Sequence, residues 1–435
     1  MDTISIFWFR RDLRLHDNVA LFHALQSEEK ILPIFIFDAD ILEKIPKNDS
    51  RISFIHKELN TMNEHLQSFE TGINMFHGNP KEVFQSLIDK YHIVKVFINH
   101  DYEPYAISRD LEIKGLLNSN NIEFNTYKDQ VIFERNEITK KDGKPYVVYT
   151  PYSKKWLEAY QINEHKNYTS EDLLDRFYSS VKPTFLTLDD IGFTETRIPI
   201  KNYIFNSRII NEYEETRNFP ALDNTSKLGP HLRFGIVSIR QMVSRAEAQE
   251  NKIFLKELIW REFFMQILWH FPHTHKDSFK SKYDRINWRN NEEEFKKWCN
   301  GTTGYPMVDA GMRQLNETGY MHNRVRMVTA GFLCKHLLID WRLGEAYFAK
   351  KLLDFELSSN NGNWQWAAGT GCDAAPYFRI FNPIEQLKKF DKSEGYIKKW
   401  ISELGTANYP EPMVEHKFAR TRALEQYKIG INNIV

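Results

Sequence analysis

Cysteine is scarce in this chain: Cys299, Cys334 and Cys372 are the only three in 435 residues. They are odd in number, far apart and without metal-ligand spacing, so neither a disulfide framework nor a metal site is expected, and a reduced, cytoplasmic protein is. Charge of one sign is also lacking. Lys and Arg total 58, Asp and Glu total 58, and the net charge is zero. The basic excess of a generic nucleic-acid binder is therefore absent, and any positive surface must be local. No apolar run approaches the ~18–20 residues that span a bilayer, so no membrane association is expected. The N-terminal run Ile4–Phe9 is too short for a signal peptide, and charge follows at once in Arg10 and Arg11. There is no G-x-G-x-x-G, no P-loop and no nucleophile elbow, which argues against NAD, ATP and serine-hydrolase chemistry.

What is present is organised in two halves, as expected for a length too great for one core. Residues 1–128 alternate short apolar runs (Ile4–Phe9, Ile31–Phe37, Ile73–Phe76, Val94–Ile98, Ile122–Thr126) with amphipathic stretches such as Arg51–Phe69 and Pro80–Tyr91. That alternation predicts an α/β domain with a parallel, Rossmann-like sheet. Residues 129–200 carry turn chemistry and little periodicity, and read as an interdomain connection with one helix near Ser153–Ala159. Residues 201–435 show helical periodicity and few strand signals. Leu255–Trp269, Pro306–Leu315, Val325–Leu338 and Gly344–Leu353 are the clearest helices of an all-α domain.

Four segments of the second half stand out. Aromatic residues make up 14% of the chain, and eight of the ten tryptophans lie beyond residue 250. The first segment, Asp354–Pro383, places Asn360, Asn361, Gly362 and Asn363 just before Trp364 and Trp366. Such a polar run is a poor helix and costly to bury unless its groups are satisfied, by solvent in a loop or by a ligand rich in hydrogen-bonding edges. In the second, Gly319–Met327, Arg326 needs a carboxylate if buried, and Asp354 and Glu356 are candidates. In the third, Lys256–Phe263, the residues Glu257, Trp260 and Arg261 share one helical face. In the fourth, Thr225–Gly229, Thr225 and Ser226 offer N-cap oxygens before a helix whose free N–H groups favour an anion. Core packing, an exposed ion pair and ordinary capping are the plain alternatives. Together the segments suit a phosphate-bearing organic cofactor held outside a Rossmann fingerprint.

Through these segments the chain resembles the photolyase/cryptochrome family, and most closely its class I cyclobutane pyrimidine dimer (CPD) members. The likeness runs from WFRRDLRLHDN (Trp8–Asn18) through YTPYSKKW, FPALDNTSKLG, ELIWREF, TGYPMVDAGMRQL, MHNRVRM and DWRLGE to NNGNWQWAAGTGCDAAPYFRIFNP. The resemblance implies a lyase that binds FAD in a helical C-terminal domain and repairs dimers in DNA by light-driven electron transfer. It implies FAD contacts from Tyr213, Thr225, Ser226, Leu228, Gly229, Arg261, Asn323, Arg326, Asp354, Glu356 and Asn360, with Arg326 and Asp354 as an ion pair and Asn360 facing flavin N5. Trp364, Trp341 and Trp288 match an electron relay running from flavin to surface. Glu257, Trp260, Asn323, Arg324, Met327 and Trp366 would line the pocket for a flipped-out dimer, and Lys154 and Arg379 would meet the DNA backbone.

Within the family, the lone His322, together with Asn323 and Met327, favours CPD repair over the alternative of (6-4) photolyase. Asn360 and Trp366 likewise favour repair over a cryptochrome photoreceptor. Tyr320 and Gly229 depart from the common pattern, which has Trp and Ser there. Glu103 and Lys276 resemble antenna contacts, although the histidine expected near Lys47 and Asn48 is missing. The implied antenna is 5,10-methenyltetrahydrofolate ahead of a deazaflavin or none. A monomer with no obligate protein partner is expected.

Overall fold

The structure, a computed structural model, describes residues 2–163, 166–179 and 183–432. Packing divides it into two units. The first holds 1–137, 159–203 and 228–248, and the second holds 138–158, 204–227 and 249–435. The stretch read as a connection is thus shared between both.

In the first unit the five apolar runs become β1 (Thr3–Phe9), β2 (Lys30–Asp38), β3 (Asn74–Gly78), β4 (His92–Asn99) and β5 (Glu123–Tyr127). They pair in parallel, in the order β3-β2-β1-β4-β5. The longer helices between them are α1 (Val19–Leu25), α2 (Ser50–Leu66), α3 (Pro80–Lys90) and α4 (Pro104–Ser119). The strands read as unbroken apolar runs because both sheet faces are covered. Successive side chains alternate between the two layers. Ile4, Ile6, Trp8, Leu32, Ile34 and Val96 enter one, while Phe7, Phe9, Ile31, Phe35 and Phe97 enter the other. Asn18, Asp49 and Asn79 cap α1, α2 and α3 by accepting backbone N–H bonds.

This unit also buries a charge cluster. Arg14 Nη2 lies 2.7 Å from Asp129, and Arg240 bridges Asp129 at 2.9 Å and Asp17 at 3.0 Å. Burial alone would raise the Asp129 carboxyl, but Arg14 and Arg240 pull it down to about 2.

The second unit contains no β-strand among its described residues. Its main helices are α5 (Tyr149–Ile162), which begins there, α6 (Ile253–His270), α7 (Pro306–Thr318), α8 (Asn323–Gly331), α9 (Trp341–Lys351), α10 (Leu357–Ala368), α11 (Pro383–Phe390) and α12 (His416–Asn432). The helix expected over Val325–Leu338 stops at Gly331 and widens into a π-helical turn, Phe332–His336. That turn buries Lys335, whose Nζ donates to the carbonyls of Ala368 (2.7 Å) and Tyr377 (3.3 Å). A core built on Trp298, Trp341 and Trp364 joins α7, α8, α9 and α10. No helix of the described residues is long and apolar enough to cross a membrane.

Candidate functional site

A cleft opens in the second unit, between α8, α10 and the turn that precedes α10. Apolar walls come from Phe348, Leu352 and Trp364, and Asn323, Met327, Asn360 and Trp366 lie along the same hollow. So do Arg326, Asp354 and Glu356. Residues from two separate sequence segments, 323–327 and 354–366, therefore meet at one surface.

The expected ion pair forms: Arg326 Nη2 donates to Asp354 Oδ2 at 2.8 Å, and Arg326 Nε donates to the Met321 carbonyl at 2.7 Å. The other carboxylate oxygen, Asp354 Oδ1, is buried with no partner. An unpaired buried acceptor is costly, so this oxygen is a position for a donor from a ligand. Asn360 Nδ2 donates to Glu345 Oε1 at 2.8 Å, and burial raises the Glu345 carboxyl against the opposing effect of that bond. His322 caps α8: its Nδ1 accepts from the Arg324 N–H at 3.2 Å. Burial, with Lys227 and Arg326 nearby, lowers its pKa to about 4, so it stays a neutral acceptor.

Tyr320, the departure from the family pattern, ties two groups of expected residues together. Its hydroxyl lies 3.1 Å from Thr225 Oγ1, and its ring receives Lys227 Nζ at 4.3 Å and the Arg326 guanidinium at 5.8 Å. The helix after Thr225–Gly229 corrects the capping expectation. It is a five-residue turn, Gly229–Arg233, with no side-chain cap, because Leu228, which carries no capping oxygen, holds the N-cap position, and Thr225 instead meets Tyr320. Ser226 is buried and its carbonyl accepts from Ile204. Tyr213 is half-buried against Phe254 and under the Arg217 guanidinium. Leu228 and Gly229 pack with the first unit.

The polar run Asn360–Asn363 lies inside the regular helix α10, not in a loop. Tertiary contacts override its poor propensity. A Cβ on Gly362 would sit 2.2 Å from Phe264, so only glycine lets α6 and α10 approach this closely. Gln365 Nε2 donates to Asn361 Oδ1 at 3.1 Å, and Asn363 Nδ2 donates to the Ser359 carbonyl at 2.8 Å.

On α6, Glu257, Trp260 and Arg261 fall on one face, as their spacing predicts. Glu257 is bound by Arg217 Nη1, which no local pattern in the sequence announced. Burial raises the Glu257 carboxyl and Arg217 restrains the rise. Arg217, Arg324 and Arg379 are close enough for the first and last to lower the Arg324 guanidinium, after burial itself. Arg324 donates to Asn218 Oδ1 at 2.6 Å and covers the Phe390 ring at 4.3 Å. Trp260 lies beyond the residues that line the cleft. It reaches α10 through Phe264, whose ring centroid is 5.4 Å from its own.

The three relay tryptophans are unequally placed. Trp364 is buried and lines the cleft; its ring neighbours are Phe348 at 4.9 Å and Trp298 at 6.1 Å. Trp341 opens α9, is buried and has an unpartnered Nε1. One turn later, Gly344 abuts the Trp364 ring. Trp288 is half-buried at the edge of the same core and meets Tyr427 edge-on at 5.8 Å.

Lys154 is exposed on α5, and Arg379 is exposed beside Phe381 at 5.7 Å. Glu103 is already engaged in the first unit by Arg11 at 3.0 Å and Arg233 at 2.7 Å. Lys276 follows a short 3₁₀ turn in the second, where its carbonyl accepts from Arg342 Nε. Among the described residues no group of His, Cys, Asp and Glu could hold a metal ion.

Comparison with known proteins identifies the family. Residues 5–170 match the family model described as DNA photolyase, and residues 254–408 match the FAD binding domain of DNA photolyase. A deoxyribodipyrimidine photo-lyase of Synechococcus sp. is 34% identical over 471 aligned residues, covering 99% of this chain and 96% of that protein. Among solved structures, a bacterial class III photolyase from Agrobacterium tumefaciens superposes with a TM-score of 0.88 at 33% identity, covering 99% of this chain and 98% of that one. An archaeal photolyase from Sulfolobus tokodaii, solved with two FAD molecules, gives 0.83 at 33% identity, covering 98% and 100%. With its sheet unit, its helical unit and near-complete coverage at this identity, the chain belongs to the DNA photolyase family.

Proposed function

We propose that this protein splits cyclobutane pyrimidine dimers in DNA with the energy of near-UV or blue light. The observation that carries the reading is the shared cleft: Asn323, Met327 and Trp366 line the same hollow as Asn360 and the Arg326–Asp354 pair. On this reading, the residues for the lesion and those for the flavin would share one hollow.

The residues fit FAD. Asp354 Oδ1 is a buried acceptor awaiting a donor, Arg326 fixes its carboxylate, and Trp364, Phe348 and Leu352 give apolar walls. Bound in its reduced form, FAD would supply light-driven one-electron chemistry with no net redox change. Arg326, Asp354 and Asn360 would hold the flavin edge. Tyr213, Thr225, Ser226, Leu228, Gly229, Arg261, Asn323 and Glu356 would hold the remainder. Trp364, Trp341 and Trp288 would pass electrons inward when the cofactor is oxidised.

Asn323, Arg324, Met327, Trp260 and Trp366 would enclose the flipped dimer. Flipping costs a few kcal/mol, and less for a lesion whose pairing and stacking are already damaged. Glu257, poised by Arg217, would hydrogen-bond a thymine carbonyl or imide edge and stabilise the added negative charge. Lys154 and Arg379 would bind phosphates, which makes affinity salt-dependent even at zero net charge. The protein would act as a cytoplasmic monomer without an obligate protein partner. Its antenna would be a methenyltetrahydrofolate, ahead of a deazaflavin or none, and an absorption spectrum of the native protein distinguishes the three.

The test compares lesions. FAD-loaded, reduced protein is illuminated with oligonucleotides carrying either one CPD or one (6-4) photoproduct, and the products are separated chromatographically. Restoration of the CPD strand alone is expected, with Glu257→Ala slower than wild type. Restoration of only the (6-4) strand would overturn the lesion assignment.

A further inference from the structure

Trp260 is not a free-standing ring. Tyr149 lies flat against it, with ring centroids 3.6 Å apart and planes 5° from parallel. Phe263 meets the indole edge-on, at 5.5 Å and 81°. At that spacing no third ring can enter between phenol and indole, so one face of Trp260 is closed.

Tyr149 is itself held at three points. Its hydroxyl donates to the Lys256 carbonyl at 2.7 Å, its N–H donates to Asp373 Oδ2 at 2.9 Å, and its ring meets Phe263 edge-on at 5.9 Å. Lys256 lies one turn before Trp260 on α6 and next to Glu257. The phenol is therefore clamped to the helix segment that presents both Glu257 and the indole. Tyr149 also opens α5, the helix that carries the exposed Lys154.

We propose that Tyr149 is a positioning residue for lesion recognition: it locks the Trp260 ring and closes one of its faces, so that a flipped dimer meets a pre-ordered, one-sided apolar wall. The proposal rests on the repair reading above. Without the stack, binding must order the Trp260 side chain, which costs about 3- to 10-fold in affinity for one immobilised side chain. Placing Tyr149 and Lys154 on one helix also links the lesion wall to the backbone contact.

The test uses FAD-loaded Tyr149→Ala, Tyr149→Leu and Tyr149→Phe proteins. Binding is measured to an oligothymidine with a single CPD and to the same strand undamaged, together with the FAD content. The expected result is a 3- to 10-fold higher Kd for the CPD strand in Tyr149→Ala and Tyr149→Leu. The undamaged strand should bind as in wild type, FAD content should hold, and Tyr149→Phe should recover the CPD affinity because it keeps the ring. Should Tyr149→Ala fail to fold, Tyr149→Leu carries the comparison, since it keeps bulk without a stacking face. Wild-type CPD preference retained in the Leu variant overturns the proposal, as does equal weakening on both strands or loss of FAD, which would mark a purely structural role. Absence of any CPD preference in the wild type sinks the repair reading itself, and the proposal with it.

Discussion

Two glycines in helix interiors make opposite predictions for one substitution. Gly115, in α4, is exposed, and a Cβ there meets nothing within 4 Å. Gly115→Ala should stabilise by ~0.5–1 kcal/mol, from helix propensity and a less flexible unfolded chain. Gly344, in α9, faces a full core. A Cβ there would stand 2.2 Å from Trp364 Cη2, 2.5 Å from Trp364 Cζ3 and 2.5 Å from Leu333 Cδ2. Contact between carbons is comfortable only near ~3.5–4.0 Å, so the indole or the helix must move by more than an ångström. Trp364 has no slack, since Phe348 and Trp298 pack against it edge-on. Overpacking costs ~1–3 kcal/mol and the propensity gain returns ~1 kcal/mol, for a net loss of up to about 2 kcal/mol. Guanidinium unfolding followed by circular dichroism should separate the two variants by up to about 3 kcal/mol, in opposite directions from wild type. Trp364 also lines the cleft, so Gly344→Ala should retain less FAD after gel filtration. Equal stability of the two variants, with full FAD retention in both, would refute the packing argument.

The buried cluster of the first unit predicts an acid limit. The folded Asp129 carboxyl sits at about 2, below the ~3.9 of an unfolded chain. Its stabilisation is therefore complete above the unfolded value and fades as pH falls from about 4 toward 2. Asp129→Asn should cost ~3–5 kcal/mol at neutral pH, because Arg14 and Arg240 lose a shared buried partner, and should flatten the stability–pH curve in that window. Trp364→Phe should block photoreduction of oxidised enzyme while chemically reduced enzyme still repairs, read by flavin absorbance and by repair yield; loss of both would assign Trp364 a structural or substrate role. Arg379→Ala should weaken binding to damaged and undamaged DNA alike and lower the slope of log K against log salt by about 0.7–0.9, depending on strandedness.

The fold was legible where burial is continuous or periodic. All five strands follow apolar runs, α2, α3, α7 and α9 follow amphipathic spacing, and α6 follows an apolar stretch buried on nearly every side. The polar run in α10 was not, because Phe264 against Gly362 and the Gln365–Asn361 bond are long-range or buried terms that local propensity does not contain. The same limit applies within the site. Arg326–Asp354 could be proposed because a buried guanidinium demands a carboxylate, and Asp354 opened the other unusual segment. Arg217 on Glu257, Glu345 on Asn360 and Tyr149 on Trp260 join residues 40, 15 and 111 positions apart, with nothing in either partner's neighbourhood to announce the pairing. Trp298, to which the sequence pattern assigns no role, is a direct ring neighbour of Trp364.

The central claim is an electron cycle that light drives and that consumes nothing. The direct measurement is the recovery of thymine absorbance from a CPD-containing oligothymidine, followed with fully reduced, FAD-loaded protein under anaerobic blue light and in darkness. Many dimers should be restored per flavin in the light, none in the dark, with the flavin still reduced at the end. No recovery in the light, or recovery that stops at one dimer per flavin with the cofactor oxidised, would contradict it.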